Sequence, residues 1–141
     1  MDKILKEITV PASLENLDTV IGMIEEGLEE ADCPLKLIMQ ITVCVEEVFV
    51  NVANYAYSGE AGECFLKLEI ETTDEVRKAT ICVTDSGVPF NPLEKEEPDI
   101  TLSADERQIG GLGIFMVKKT MDEIFYSYEG GKNTLIMEKS W

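Results

Sequence analysis

The sequence contains no histidine. That absence removes His-ligated zinc sites, Ser-His-Asp triads and Cys-His nucleophile pairs, and it means the chain cannot be its own phospho-accepting histidine module. Basic residues are also scarce: 12 Lys and Arg stand against 28 Asp and Glu, a formal net charge of −16. Nucleic acid and anionic membrane surfaces both demand a basic footprint, so neither is an expected partner. A small polyphosphate stays compatible with this charge, because backbone amides, one or two cations and a divalent metal can hold it inside an acidic protein. No apolar run reaches the roughly 18 residues that a membrane-spanning helix needs. The start, Met1-Asp2-Lys3-Ile4, lacks a basic region followed by an apolar stretch. No secretory signal is read there, and a cytoplasmic protein is expected. The four cysteines, Cys33, Cys44, Cys64 and Cys82, never form a CxxC. Outside a secretory context they are expected to be reduced and mostly buried.

What is present fits one domain over residues 1–141. Residues 4–10 alternate as a strand, with Ile4, Ile8 and Val10 on one face, and Pro11 ends it. Ser13 is a suitable N-cap for a helix that carries Leu17, Ile21, Ile24 and Leu28 on one side. Pro34 suits the first turn of a second helix, which runs to about Tyr57. That helix is apolar nearly all round, so it is expected to be buried. Cys64, Leu66, Leu68 and Ile70 alternate with polar neighbours, and after a turn at 73–75 so do Ala79, Ile81 and Val83, which predicts a hairpin. From Ser86 to Ile109 the periodicity fails, and a long irregular segment in a small domain is more often functional than idle. A glycine run at 110 opens a helix to about Met121, bearing Leu112, Phe115, Met116 and Lys119. A final hairpin follows over 123–129 and 133–139, turning at Gly130-Gly131. Strands cluster without strict βα alternation, which predicts an α+β two-layer sandwich: one mixed, largely antiparallel sheet with helices on one face.

Three constellations carry chemistry. Glu47, Asn51 and Asn54 are spaced i, i+4, i+7 on the apolar helix and share a face. They are either an ordinary solvated stripe or a carboxylate and amide that hold magnesium or set a general base beside it. Glu46 points about 100° away and is the weaker partner. The second constellation is Asp85-Ser86-Gly87-Val88-Pro89-Phe90. Asp85 keeps the inward parity of Ala79, Ile81 and Val83, and an inward carboxylate is costly unless hydrogen-bonded. It either makes an Asx-type turn or accepts from a ligand amino group such as that of adenine, with Gly87 allowing close backbone approach. The third is Gly110-Gly111-Leu112-Gly113-Ile114. Its glycines form either a hinge or a phosphate cradle at a helix N-terminus. No Gly-Lys-Ser/Thr follows, so it is not a P-loop, and the spacing is not a dinucleotide fingerprint.

The order of these motifs resembles the GHKL (Bergerat-fold) ATPases, and within them the bacterial anti-sigma factor serine kinases. The resemblance rests on Glu-Glu-Val-Phe-Val-Asn-Val-Ala-Asn-Tyr-Ala-Tyr (46–57), Asp-Ser-Gly-Val-Pro-Phe-Asn-Pro (85–92) and Gly-Gly-Leu-Gly-Ile-Phe-Met-Val-Lys-Lys (110–119). It implies ATP and Mg2+ as ligands, with Glu47 as catalytic base and Asn51 as magnesium ligand. Asp85 matches the carboxylate that receives the adenine amino group, and Gly87 the glycine beneath the ring. Gly110, Gly111, Leu112 and Gly113 match the phosphate loop. Residues 93–109 match an ATP lid with Arg107 as a phosphate contact, and Thr134 matches a hydroxyl near the adenine. Many relatives carry a His four residues after the motif Asn, where this chain has Tyr55. The implied function is a serine/threonine protein kinase that phosphorylates a STAS-type antagonist protein, binds a sigma factor and forms a homodimer. Two alternatives stay open: a non-catalytic module that uses ATP as a switch, and an ATP-hydrolysing domain. The short chain, with no transducer domain following, counts against the latter.

Overall fold

A computed structural model describes residues 3–58, 60–94 and 111–141. β1 (Lys3–Pro11) leads through a 3-10 turn at Leu14–Asn16 into α1 (Leu17–Glu30) and α2 (Leu35–Asn51). A π-helical turn, Val52–Ala56, extends α2. β2 (Glu63–Thr73) and β3 (Val76–Asp85) follow, then a 3-10 turn at Pro92–Glu94, α3 (Gly111–Thr120), β4 (Glu123–Glu129) and β5 (Lys132–Ser140). The strands form one five-stranded sheet in the order β1-β2-β3-β5-β4. Every pairing is antiparallel. The expected mixed character is therefore absent among the described residues, because the α1–α2 pair brings the chain back to lay β2 antiparallel to β1. The architecture is the expected α+β two-layer sandwich.

Period-two alternation sets the core. Cys64, Leu66, Leu68 and Ile70 on β2, Ala79, Ile81 and Val83 on β3, and Leu135 and Met137 on β5 all face the helices and are buried. Val20, Ile24 and Leu28 of α1 and Ile41, Val45, Val48 and Phe49 of α2 close over them. The β2–β3 turn has positive φ at Asp74 and Glu75, and the β4–β5 turn at Gly130 and Gly131. Two central residues with φ > 0 give the twist that two-residue hairpins require, and in the second hairpin glycine adopts it without steric cost.

Two helical faces differ from expectation. α2 is not buried all round: Leu35, Met39 and Val43 are each more than half exposed. They form an i+4 row on the side away from the sheet, since α1 and α3 cover only its flanks. On α3, among the described side chains, Ile114 and Val117 are buried, followed by Met121, while Met116 is half exposed. Cys33, Cys44 and Cys64 are buried, Cys82 is half-buried, and all four are free thiols. Burial pushes Cys33 up to about 11 and Cys64 up to about 12, the latter with a contribution from the Asp85 carboxylate across the β2–β3 ladder. No helix among the described residues is long and apolar enough to cross a membrane.

Candidate active site

A cleft lies between the C-terminal half of α2, the end of β3, the start of α3 and the β4–β5 hairpin. Val48, Asn51, Val52 and Ala56 form one wall, Val83, Asp85, Val88 and Phe90 another, with Ile114, Tyr126, Asn133 and Leu135 closing it. The lining is mainly apolar with a few convergent polar groups, the usual character of a small-molecule site.

Asp85 sits where its strand parity demands, at the inward end of β3, and is only 7% exposed. Its Oδ1 accepts from the Gly87 amide at 2.8 Å and from Asn133 Nδ2 at 2.9 Å. The Asx-type turn is thus real, and it occupies one oxygen. No hydrogen bond from a described residue reaches Oδ2, which leaves an acceptor for a ligand donor. Gly87 packs against the end of the π-helical turn: a Cβ there would collide with the Ala56 carbonyl, which itself accepts from the Val88 amide at 2.8 Å. Tyr57 fixes the same loop, its hydroxyl accepting from the Ser86 amide at 2.8 Å and donating to the Glu63 carbonyl. The ring of Tyr55 lies beside that of Phe90, with centroids 6.2 Å apart.

Asn51 lies on the facing wall, 8% exposed, and its Nδ2 is buried without a hydrogen-bond partner among the described residues. Such an orphan is costly and points to a ligand group. Glu47, one turn earlier, is half-buried and lines an adjoining groove between α2 and α3 with Val43, Cys44, Gly113, Met116, Val117 and Thr120. Gly113 belongs to that contact, since a Cβ on it would overlap the Glu47 carboxyl group. The first and third motifs therefore meet. Asn54 does not join them; it is exposed, because the π-helical turn that begins at Val52 breaks the i, i+4, i+7 spacing. Among the described residues no group of three or more Cys, Asp or Glu could hold a metal. Magnesium bound mostly through phosphate oxygens and water needs only one or two protein oxygens, and Asn51 Oδ1 could supply one.

Gly111, Leu112 and Gly113 form the first turn of α3, whose amides have no partner within the helix. Arg107 and Gly110, with the rest of the expected lid after Glu94, lie outside the described residues. At the near edge of that segment, Lys118 Nζ donates to the Leu93 carbonyl at 3.0 Å. Thr134 is a correction. It pairs with Thr84 on the face of the sheet opposite the cleft, the two hydroxyls 3.5 Å apart. Its neighbour Asn133 has the inward parity of Leu135 and Met137, stands directly across from Asp85 and is 6% exposed. Asn133 and Tyr126 are the cleft residues that sequence reasoning overlooked. The available signal was a polar side chain at an inward position at the start of a strand.

The chain is 26% identical over 133 residues to the anti-sigma F factor of Clostridium acetobutylicum, covering 94% of this chain and 90% of the relative. It is 26% identical over 103 residues to the serine/threonine-protein kinase BtrW of Bordetella bronchiseptica, covering 72% and 70%. It is 26% identical over 129 residues to the serine-protein kinase RsbW of Listeria monocytogenes, covering 88% and 73%. A crystal structure of the RsbU and RsbW domains of Rv1364c from Mycobacterium tuberculosis superposes with a TM-score of 0.63 at 17% identity. It covers 98% of this chain, which spans 33% of that longer one. The model of the histidine kinase-like ATPase domain matches residues 10–139. The chain belongs to the histidine kinase-like ATPase domain family.

Proposed function

We propose that this chain binds ATP in the cleft and transfers its terminal phosphoryl group to a serine or threonine hydroxyl of a STAS-type antagonist protein, and that it binds a sigma factor. The observation that carries the reading is Asp85: a buried carboxylate with one oxygen fully engaged and no hydrogen bond from a described residue on the other, lining the same apolar cleft as Asn51, whose Nδ2 has no partner among the described residues. The relatives named as serine kinases and anti-sigma factors support the same reading.

In this reading Asp85 Oδ2 receives the adenine amino group. The amides of Gly111, Leu112 and Gly113 at the start of α3 carry phosphate charge, as helix N-termini do. Asn51 Oδ1 would hold magnesium, which would supply charge neutralisation on the phosphates. The acceptor oxygen bonds to the terminal phosphorus as the bond to the bridging oxygen of ADP breaks, and the hydroxyl proton passes to the Glu47 carboxylate. In the same reading the acceptor hydroxyl enters through the groove that Glu47 lines. A homodimer is part of the same proposal, read by analytical ultracentrifugation.

The test is incubation with γ-labelled ATP, magnesium and a STAS-domain protein of the same organism. Label on the partner is the expected result. Tight ATP binding without transfer would replace the kinase by an ATP-dependent binding module, and free phosphate without any partner would replace it by an ATP-hydrolysing domain.

A further inference from the structure

Every hydrogen-bonding position of the Asn133 side chain is used. Its Nδ2 donates to Asp85 Oδ1 at 2.9 Å and to the Val88 carbonyl at 2.8 Å. Its Oδ1 accepts from the Phe90 amide at 3.1 Å and from the Tyr126 hydroxyl. An amide offers two donors and one oxygen with two lone pairs, so the group is saturated. Its orientation is also determined. A backbone carbonyl only accepts and a backbone N–H only donates, so Val88 and Phe90 together forbid the flipped amide. Asn133 therefore joins three things: the carboxylate at the end of β3, the loop that follows it, and Tyr126 on β4.

For Asp85 the consequence is a fixed plane. Gly87 and Asn133 both donate to Oδ1, so the carboxylate cannot leave this plane without losing two hydrogen bonds, one part-buried and one buried, and the loss at the buried Asn133 donor is costly. Oδ2 is then held as a pure acceptor at one point of the cleft wall. A ligand edge that sets an N–H there is favoured; one that sets a carbonyl oxygen there meets lone pair against lone pair. This differs from a merely structural clamp, which would affect every nucleotide equally.

We infer that Asn133, backed by Tyr126, is a positioning residue that sets purine selectivity through Asp85, favouring a 6-amino over a 6-oxo purine nucleotide. The inference rests on the ATP-binding reading proposed above. The pair of probes is ATP and inosine triphosphate, which have the same ribose and phosphates and differ at the purine 6-position, amino in one and oxo in the other. Dissociation constants for both are measured by calorimetry on the full chain and on two variants, Asn133→Ala and Tyr126→Phe. The wild type is expected to prefer ATP by roughly tenfold or more, as a charge-assisted hydrogen bond supplies. Asn133→Ala, which frees the carboxylate to turn, should shrink that ratio towards one. Tyr126→Phe removes only one hydroxyl and should shrink it partway while the fold persists by circular dichroism, so the inference stays testable if the alanine variant fails to fold. An unchanged ratio in folded variants, even with weaker binding of both nucleotides, overturns the role of Asn133 and leaves ATP binding standing. A wild type that binds neither nucleotide overturns the ATP reading itself.

Discussion

Replacing Asp85 with asparagine preserves the shape of the side chain and removes its charge. The surroundings determine how the new amide sits. At Oδ1 the Gly87 amide and Asn133 Nδ2 both donate, at 2.8 and 2.9 Å. The amide oxygen must stay there, because the reverse orientation sets an NH2 group against two donors. The NH2 then takes the place of Oδ2 on the cleft wall and turns a donor towards the adenine amino group. Both internal hydrogen bonds survive, so the variant should fold and its melting temperature should change little. The ligand loses one hydrogen bond to a charged acceptor, about 1.5–3 kcal/mol, or roughly 10- to 150-fold in Kd. Titration calorimetry with ATP and magnesium reads the loss, and circular dichroism checks the fold. Unchanged ATP affinity in a folded Asp85→Asn variant would refute the assignment of this carboxylate to the base.

Glu47→Ala should keep most of the ATP affinity and lose phosphoryl transfer by roughly 100- to 10,000-fold, since a general base acts mainly in the transition state; full transfer to a verified protein substrate would remove Glu47 from that role. Asn51→Ala should lose the magnesium-dependent part of ATP affinity, and calorimetry showing the same gain from magnesium as in the wild type would count against it as the metal ligand. Gly87→Ala sets a Cβ against the Ala56 carbonyl, part of the backbone, and should cost about 1–3 kcal/mol in urea unfolding; wild-type stability would mean the loop relaxes freely. Cys64 is held up at about 12 in the fold against an ordinary value of 9.0. Between those values the unfolded thiol ionises and the folded one does not, which favours unfolding. Its contribution to stability is therefore complete below pH 9 and is lost as pH rises towards 12. Urea unfolding across that window should be flatter in Cys64→Ala, and identical pH profiles would contradict the burial argument.

Much of the fold was readable because strand parity is strict. The two hairpins, their turns and the inward Asp85 all follow from alternation with period two. The same strictness separates neighbours: one residue along a strand is the opposite face, so Asn133 and not Thr134 lines the cleft. Helical patterns were less decisive. An apolar helix announces that something must cover it without saying which sides are covered, so the exposure of Leu35, Met39 and Val43 could not be anticipated. The π-helical turn after Asn51 has no sequence marker, and it is what removes Asn54 from the row of Glu47 and Asn51. The contact between Glu47 and Gly113 joins residues 66 positions apart in the chain, which only packing of α3 on α2 establishes.

The most direct measurement is a crystal structure of the chain with a non-hydrolysable ATP analogue and magnesium. The account predicts the adenine amino group within hydrogen-bond distance of Asp85 Oδ2, a metal ion on Asn51 Oδ1 and the phosphates at the first turn of α3. An analogue bound with its base away from Asp85, or bound outside the cleft, would contradict it.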